Sequence, residues 1–102
     1  GEPEKPAYGA SKAGRISLGQ SLAVSLAPYK VCVGTVAPGF VETDLSAELM
    51  ASEMGAGVRA QSPLGRIAQP EEVAHAVLFL ASEGAEFSTG TVIDVNGASY
   101  LR

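Results

Sequence analysis

The sequence holds one cysteine, Cys32, one histidine, His75, and no tryptophan. A lone cysteine excludes an internal disulfide framework and a cysteine-ligated zinc centre within one chain. His75 sits between Ala74 and Ala76 on a segment of helical periodicity with no second ligand beside it, so no metal site is expected. Basic clusters are also missing. Seven Lys and Arg stand against eleven Asp and Glu, a net charge of −4, and they are scattered from Lys5 to Arg102, which argues against nucleic-acid binding. The longest apolar runs, such as Ala76 to Ala81, fall far short of the roughly 18 residues that span a bilayer, and Gly1 opens no signal peptide. These absences point to a cytoplasmic chain that engages neither membrane nor nucleic acid. With 46% apolar and 18% charged residues it is rich enough in core formers to fold, and its 102 residues make one domain or part of one.

The order of elements reads helix, strand, irregular segment, helix, strand, which is α/β. A first helix is predicted from about Ala7, after the Pro3 to Pro6 stretch, to Ala27, where Pro28 stops it. Gly9, Ala10, Ser11, Ala13, Gly14, Ser17 and Gly19 leave it little bulk, so its stability must come from close packing. Val31 to Ala37 is apolar without alternation, as expected of a parallel strand covered on both faces, with Cys32 buried in it as a small hydrophobe. Pro38-Gly39 ends that strand. Residues 44–63 mix Leu45, Leu49, Met50 and Met54 with Ser, Glu and Gly, and are expected to form one or two short helices of a mobile lid. Pro70-Glu71-Glu72 opens a second helix, with Pro at its first position and carboxylates favourable to its dipole. Val73, Ala76, Val77 and Leu80 form its buried stripe, and Gly84 stops it. Thr91 to Val95 is a second strand, closed by the turn pair Asn96-Gly97.

Two strands make a marginal sheet. The chain is therefore expected either to complete its sheet with a partner or to be the C-terminal part of a larger α/β protein.

Tyr8 and Lys12 lie four apart, on one face of the first helix. A phenol titrates near pH 10, and a neighbouring ammonium favours the phenolate, so this spacing suits a Tyr acting as general acid or base. By spacing alone, a Tyr that merely docks its ring beside a solvated Lys is the commoner arrangement. The surrounding residues add to it. Tyr8-Gly9-Ala10-Ser11-Lys12-Ala13-Gly14 resembles the catalytic helix of the short-chain dehydrogenase/reductase family. Val36 to Asp44 resembles that family's strand and Pro-Gly turn beneath the nicotinamide. Pro63 to Ile67 with Gln69 to Ala74 resembles its approach to the penultimate helix, and Gly90 to Gly97 its last strand and turn. The likeness is nearest to the 3-oxoacyl-carrier-protein reductase type.

The resemblance implies the C-terminal part of a Rossmann-like doubly wound parallel sheet, forming a single partial domain over 1–102 with a substrate lid at 44–63. It implies NAD or NADP as coenzyme in the complete enzyme, and a small carbonyl or alcohol substrate, with the apolar lid leaning towards an acyl group. Tyr8 would exchange the proton of the reacting oxygen, and Lys12 would tune Tyr8 and bond the nicotinamide ribose. Pro38, Gly39 and Val41 would approach the nicotinamide by backbone, and Thr43 would bond the carboxamide or pyrophosphate. Thr43 or Asp44 equally suits the start of a short helix. A homo-oligomer is expected, as for the family's subunits.

The family's glycine-rich dinucleotide turn, its catalytic Ser, the Asn of the preceding helix and the residue selecting NAD or NADP have no counterpart in this sequence, so the chain is expected to be inactive alone. The alternative is a non-catalytic truncated fragment acting only through self-association. Gly55-Ala56-Gly57-Val58-Arg59-Ala60 satisfies the dinucleotide pattern, but it follows polar, helix-prone residues rather than a strand. Ser11 with Asp44 and His75 copies the chain order of a hydrolase triad but lacks the second elbow glycine and a preceding strand.

Overall fold

The computed structural model describes residues 6–101, except the side chains of Pro6 and Tyr8. The Pro3 to Pro6 approach to the first helix therefore lies largely outside the described residues. Four helices and two strands follow in the order α1 (Pro6–Leu26), β1 (Thr35–Pro38), α2 (Asp44–Ala51), α3 (Glu53–Ala60), α4 (Pro70–Ala81) and β2 (Val92–Val95), with 3-10 turns at Ala27–Tyr29 and Glu86–Ser88. The strands form a two-stranded sheet. Its register is parallel: Thr35 N–H donates to Thr91 O and Gly39 N–H to Val95 O, each at 3.0 Å, so both partners ascend together.

The residues divide into two compact units, Gly1–Thr35 with Ser82–Val92 and Val36–Ala81 with Ile93–Arg102. In the first, α1 turns inward a stripe of Gly9, Ile16, Gly19, Ala23 and Leu26, of which Ala23 is buried. Of the small residues expected to serve close approach, Gly19 does so, whereas Ala10, Ser11, Ala13, Gly14 and Ser17 are exposed. A Cβ on Gly19 would stand 2.7 Å from the Thr35 hydroxyl, and the Gly90 position lies against the Ala23 methyl. Pro28 falls in the 3-10 turn that ends α1.

Two expectations fail in this unit. Residues Val31 to Gly34 do not belong to β1, and Cys32 is exposed rather than buried in a strand. The reason lies in what they face. The Val33 N–H bonds the Thr89 side chain at 3.0 Å and the Val33 carbonyl takes Gly90 N–H at 2.7 Å, while Val31 N–H returns to Leu26 O. A 3-10 turn and a hydroxyl opposite them cannot continue a ladder, so the strand starts only at Thr35 and reaches Pro38.

In the second unit, residues 44–63 hold two helices packed on each other, α2 and α3. Ser52 ends one and begins the other, and Gly55 is buried at the corner, where a Cβ would clash with Met50 O. Gly55 and Gly57 both lie inside α3, with helix rather than strand before them, so neither opens a dinucleotide turn. Helix α4 keeps its expected start and stripe, but Val73, Ala76 and Leu80 are only half-buried and Val77 is 50% exposed. The stripe fixes which face turns inward, but burial is shallow, and the buried residues of this unit, Ala37, Gly55 and Ser62, are all small.

Candidate active site

Positions 8 and 12 lie one turn apart on α1, as their spacing requires. Lys12 is exposed; the Tyr8 side chain lies outside the described residues. The remaining candidates, Pro38, Gly39, Val41 and Thr43, lie in the second unit on the turn from β1 to α2.

Each has a definite local role. Gly39 N–H extends the ladder to Val95 O, and a Cβ at residue 39 would sit 2.9 Å from the Asn96 Cβ. The missing side chain thus makes room for Asn96, a packing reason that accompanies the closeness to a flat ring expected of it. Val41 forms a parallel bridge with Ala68. Ala68 N–H donates to Phe40 O at 3.0 Å and Glu42 N–H to Ala68 O at 2.7 Å. In such a bridge the N–H and C=O of the central residue point away from the partner. The Val41 carbonyl accepts the Ser46 hydroxyl at 2.8 Å, and its N–H points to the same side.

Thr43 is the N-cap of α2. Its Oγ1 accepts Ser46 N–H at 3.2 Å while Ser46 Oγ accepts Thr43 N–H at 2.9 Å, a reciprocal capping box. The Thr43 hydroxyl also donates to Ser46 Oγ, but at 3.3 Å this bond is long, so cap and ligand are compatible if a ligand acceptor takes that proton in its place. The pattern Thr-x-x-Ser was visible in the sequence and would have found Ser46.

Other contributors were not singled out. Ser62 is buried, donates to Gly97 O at 2.9 Å and accepts Leu64 N–H at 3.2 Å. Gly97 has φ +59°, and a Cβ there would fall 2.5 Å from Ser62 Oγ. Arg66 grips Glu72 through two bonds, 2.6 and 2.9 Å, and Glu72 also accepts Gln69 N–H at 2.9 Å. These bonds, the Arg66 fork first, pull the Glu72 carboxyl down to about 2. The reciprocal effect raises Arg66 above its ordinary value. Among the described residues no group of His, Cys, Asp and Glu could hold a metal ion, and no helix is long and apolar enough to cross a membrane.

A parallel sheet whose first strand ends in a Pro-Gly turn is what the class anticipated above requires of this segment. The comparisons agree. A family model described as enoyl-(acyl carrier protein) reductase matches residues 1–98. The chain belongs to this family of short-chain dehydrogenases/reductases, and its fold is the corresponding part of a Rossmann-like sheet. It is 50% identical over 93 residues to the 3-oxoacyl-[acyl-carrier-protein] reductase FabG of Aquifex aeolicus, covering 91% of this chain and 37% of the relative. It is 45% identical over 94 residues to the Escherichia coli protein of the same name, covering 92% and 38%. A solved short-chain dehydrogenase/reductase from Brucella melitensis superposes with a TM-score of 0.88 at 38% identity, covering 100% of this chain and 41% of that one. The chain thus spans about two fifths of the length of these relatives.

Proposed function

We propose that these residues supply the proton-transfer helix and the nicotinamide-side turn of an NAD(P)-dependent reductase acting on a 3-oxoacyl or related carbonyl substrate. The observation that carries this reading is the 42–50% identity, over more than nine tenths of the chain, to reductases named for 3-oxoacyl substrates. The family description names an enoyl substrate instead. The ketone is favoured because those relatives are closely similar and because a phenol is suited to protonating an oxygen that gains charge as hydride reaches its carbon.

The donors fit the coenzyme. The Lys12 ammonium, the Val41 N–H and the Thr43 hydroxyl suit ribose hydroxyls, a carboxamide oxygen and phosphate oxygens. Bound NAD(P)H supplies the hydride. Tyr8 gives its phenolic proton to the carbonyl oxygen, which becomes the alcohol hydroxyl, and Lys12 stabilises the phenolate until it is reprotonated from solvent. Pro38 and Gly39 set the path of the backbone that presents Val41 and Thr43.

Helices α2 and α3, within 44–63, act as a lid over an apolar substrate, a role supported by Leu45 at 94% and Met54 at 70% exposure. The protein works in the cytoplasm as a homo-oligomer, and the exposed Leu18, Leu22 and Val24 of α1 support self-association. The 102 residues contain no glycine-rich turn after a strand, so by themselves they are expected to bind the dinucleotide weakly and to be inactive. A chimera in which they replace the matching stretch of the Aquifex aeolicus relative tests the reading. It should reduce a 3-oxoacyl substrate with NADPH or NADH; a chimera that folds and binds coenzyme but reduces no carbonyl would overturn it.

A further inference from the structure

The turn that presents Val41 and Thr43 is fixed from one side by a relay of polar bonds centred on Gln69. The Gln69 side-chain amide donates to Glu42 Oε2. Its backbone N–H donates to Glu72 Oε1 at 2.9 Å, and Arg66 holds both oxygens of that carboxylate. Beside it run two backbone bonds, Ala68 N–H donating to Phe40 O and Glu42 N–H to Ala68 O. Both neighbours of Val41 are thereby tied to the segment before α4, and Glu42 is tied twice, by backbone and by side chain.

These side chains are exposed. Exposed polar bonds add little to global stability, so their effect is local: they restrict the rotation of the peptide units around Val41. A turn that acts through backbone donors loses its function when those units rotate, whatever its side chains are.

We propose that Gln69 and Glu42 are positioning residues that hold the Phe40–Thr43 backbone with the Val41 N–H and the Thr43 hydroxyl facing the coenzyme, and that the Arg66–Glu72 pair acts through Gln69. The identity of the coenzyme rests on the function proposed above; the relay itself does not. Neither residue touches the reacting atoms. The carboxylate and amide are interchangeable in principle, because the pair needs one donor and one acceptor.

Gln69→Glu sets two carboxylates against each other, and adding Glu42→Gln restores an amide–carboxylate pair in reverse. Amide hydrogen exchange in the 102-residue protein should show the Glu42 and Ala68 N–H groups exchanging about tenfold faster in Gln69→Glu. The double variant should return them to the parent rate, with amides around Ala23 of α1 unchanged throughout. The same amides are followed in the chimera, where titration with NADPH should give a dissociation constant raised about tenfold in Gln69→Glu and recovered in the double variant, with kcat at saturation little changed. Unaltered exchange at Glu42 and Ala68, a uniform rise across the protein, or a double variant that stays fast overturns the relay. A parent chimera that binds no dinucleotide removes the proposed function instead, and exchange then decides the relay by itself.

Discussion

Helix α1 and the turn from Pro38 to Thr43 both carry candidate site residues, and they do so in opposite ways. The helix offers side chains, Tyr8 and Lys12, on a scaffold of small residues whose inner face packs through Gly19 and Ala23. The turn offers mainly backbone, and it is held by partners far away in the sequence: Val95 and Asn96 at Gly39, Ala68 at Phe40 and Glu42, Gln69 at Glu42. Side-chain chemistry needs only the right residues at helical spacing. Backbone chemistry needs the peptide units fixed from outside, so changes remote from it should disturb it most.

The largest effect should separate the two at once. In the chimera, Tyr8→Phe keeps the ring and removes the proton, so kcat in steady-state assays should fall about 10²-fold or more with the coenzyme dissociation constant little changed. Lys12→Met should harm both quantities, because it removes the charge that favours the phenolate and the donor to the ribose. A Tyr8→Phe enzyme with full activity would leave α1 a packing helix and end the comparison.

The turn should respond to crowding. Gly39→Ala places a methyl against Asn96, and overpacking of this kind costs about 1–3 kcal/mol, read as a lower urea midpoint. Adding Asn96→Gly should recover part of the loss, because the two sites share one contact. Additive losses would mean that Asn96 is not what demands the glycine.

Acid should act on the turn's support and not on α1. The Glu72 carboxyl lies well below its ordinary value of 4.5 in the folded protein, so its contribution is fully present above about pH 4.5. It is lost as pH falls towards about 2. Glu72→Gln should therefore lower the urea midpoint slightly at pH 7, and the difference should shrink as pH falls through about 2. A difference that stayed as large at pH 2 as at pH 7 would show that the ion pair with Arg66 is not its source.

The smallest change belongs to α1. A Cβ at Gly14 meets nothing within 4 Å, so Gly14→Ala should stabilise by about 0.5–1 kcal/mol through helix propensity alone, measured as a higher Tm. Destabilisation would show that the Gly14 face packs against something, a second copy being the first candidate to check by sedimentation.

Much was legible from residue order. The α/β alternation, α1 with its 3-10 end at Pro28, the Pro70 start of α4, the paired helices of 44–63 and the Asn96-Gly97 turn all follow local rules of propensity, capping and turn chemistry. So do the Tyr8 and Lys12 spacing and the cap at Thr43, because each depends on residues within one helical turn.

Other features depended on what the chain folds against. Whether Val31 to Gly34 joins the strand was decided by the Thr89 hydroxyl and the turn opposite, and the exposure of Cys32 followed from that. Asn96 at Gly39, Ser62 at Gly97 and Gln69 at Glu42 are pairs separated by 57, 35 and 27 positions. The sequence by itself determined which groups could do chemistry and which segments are helical, since both are short-range properties. Only the tertiary structure decided how the backbone of the Pro38–Thr43 turn is held, because each restraint joins a donor and an acceptor that meet only after the chain has closed a long loop.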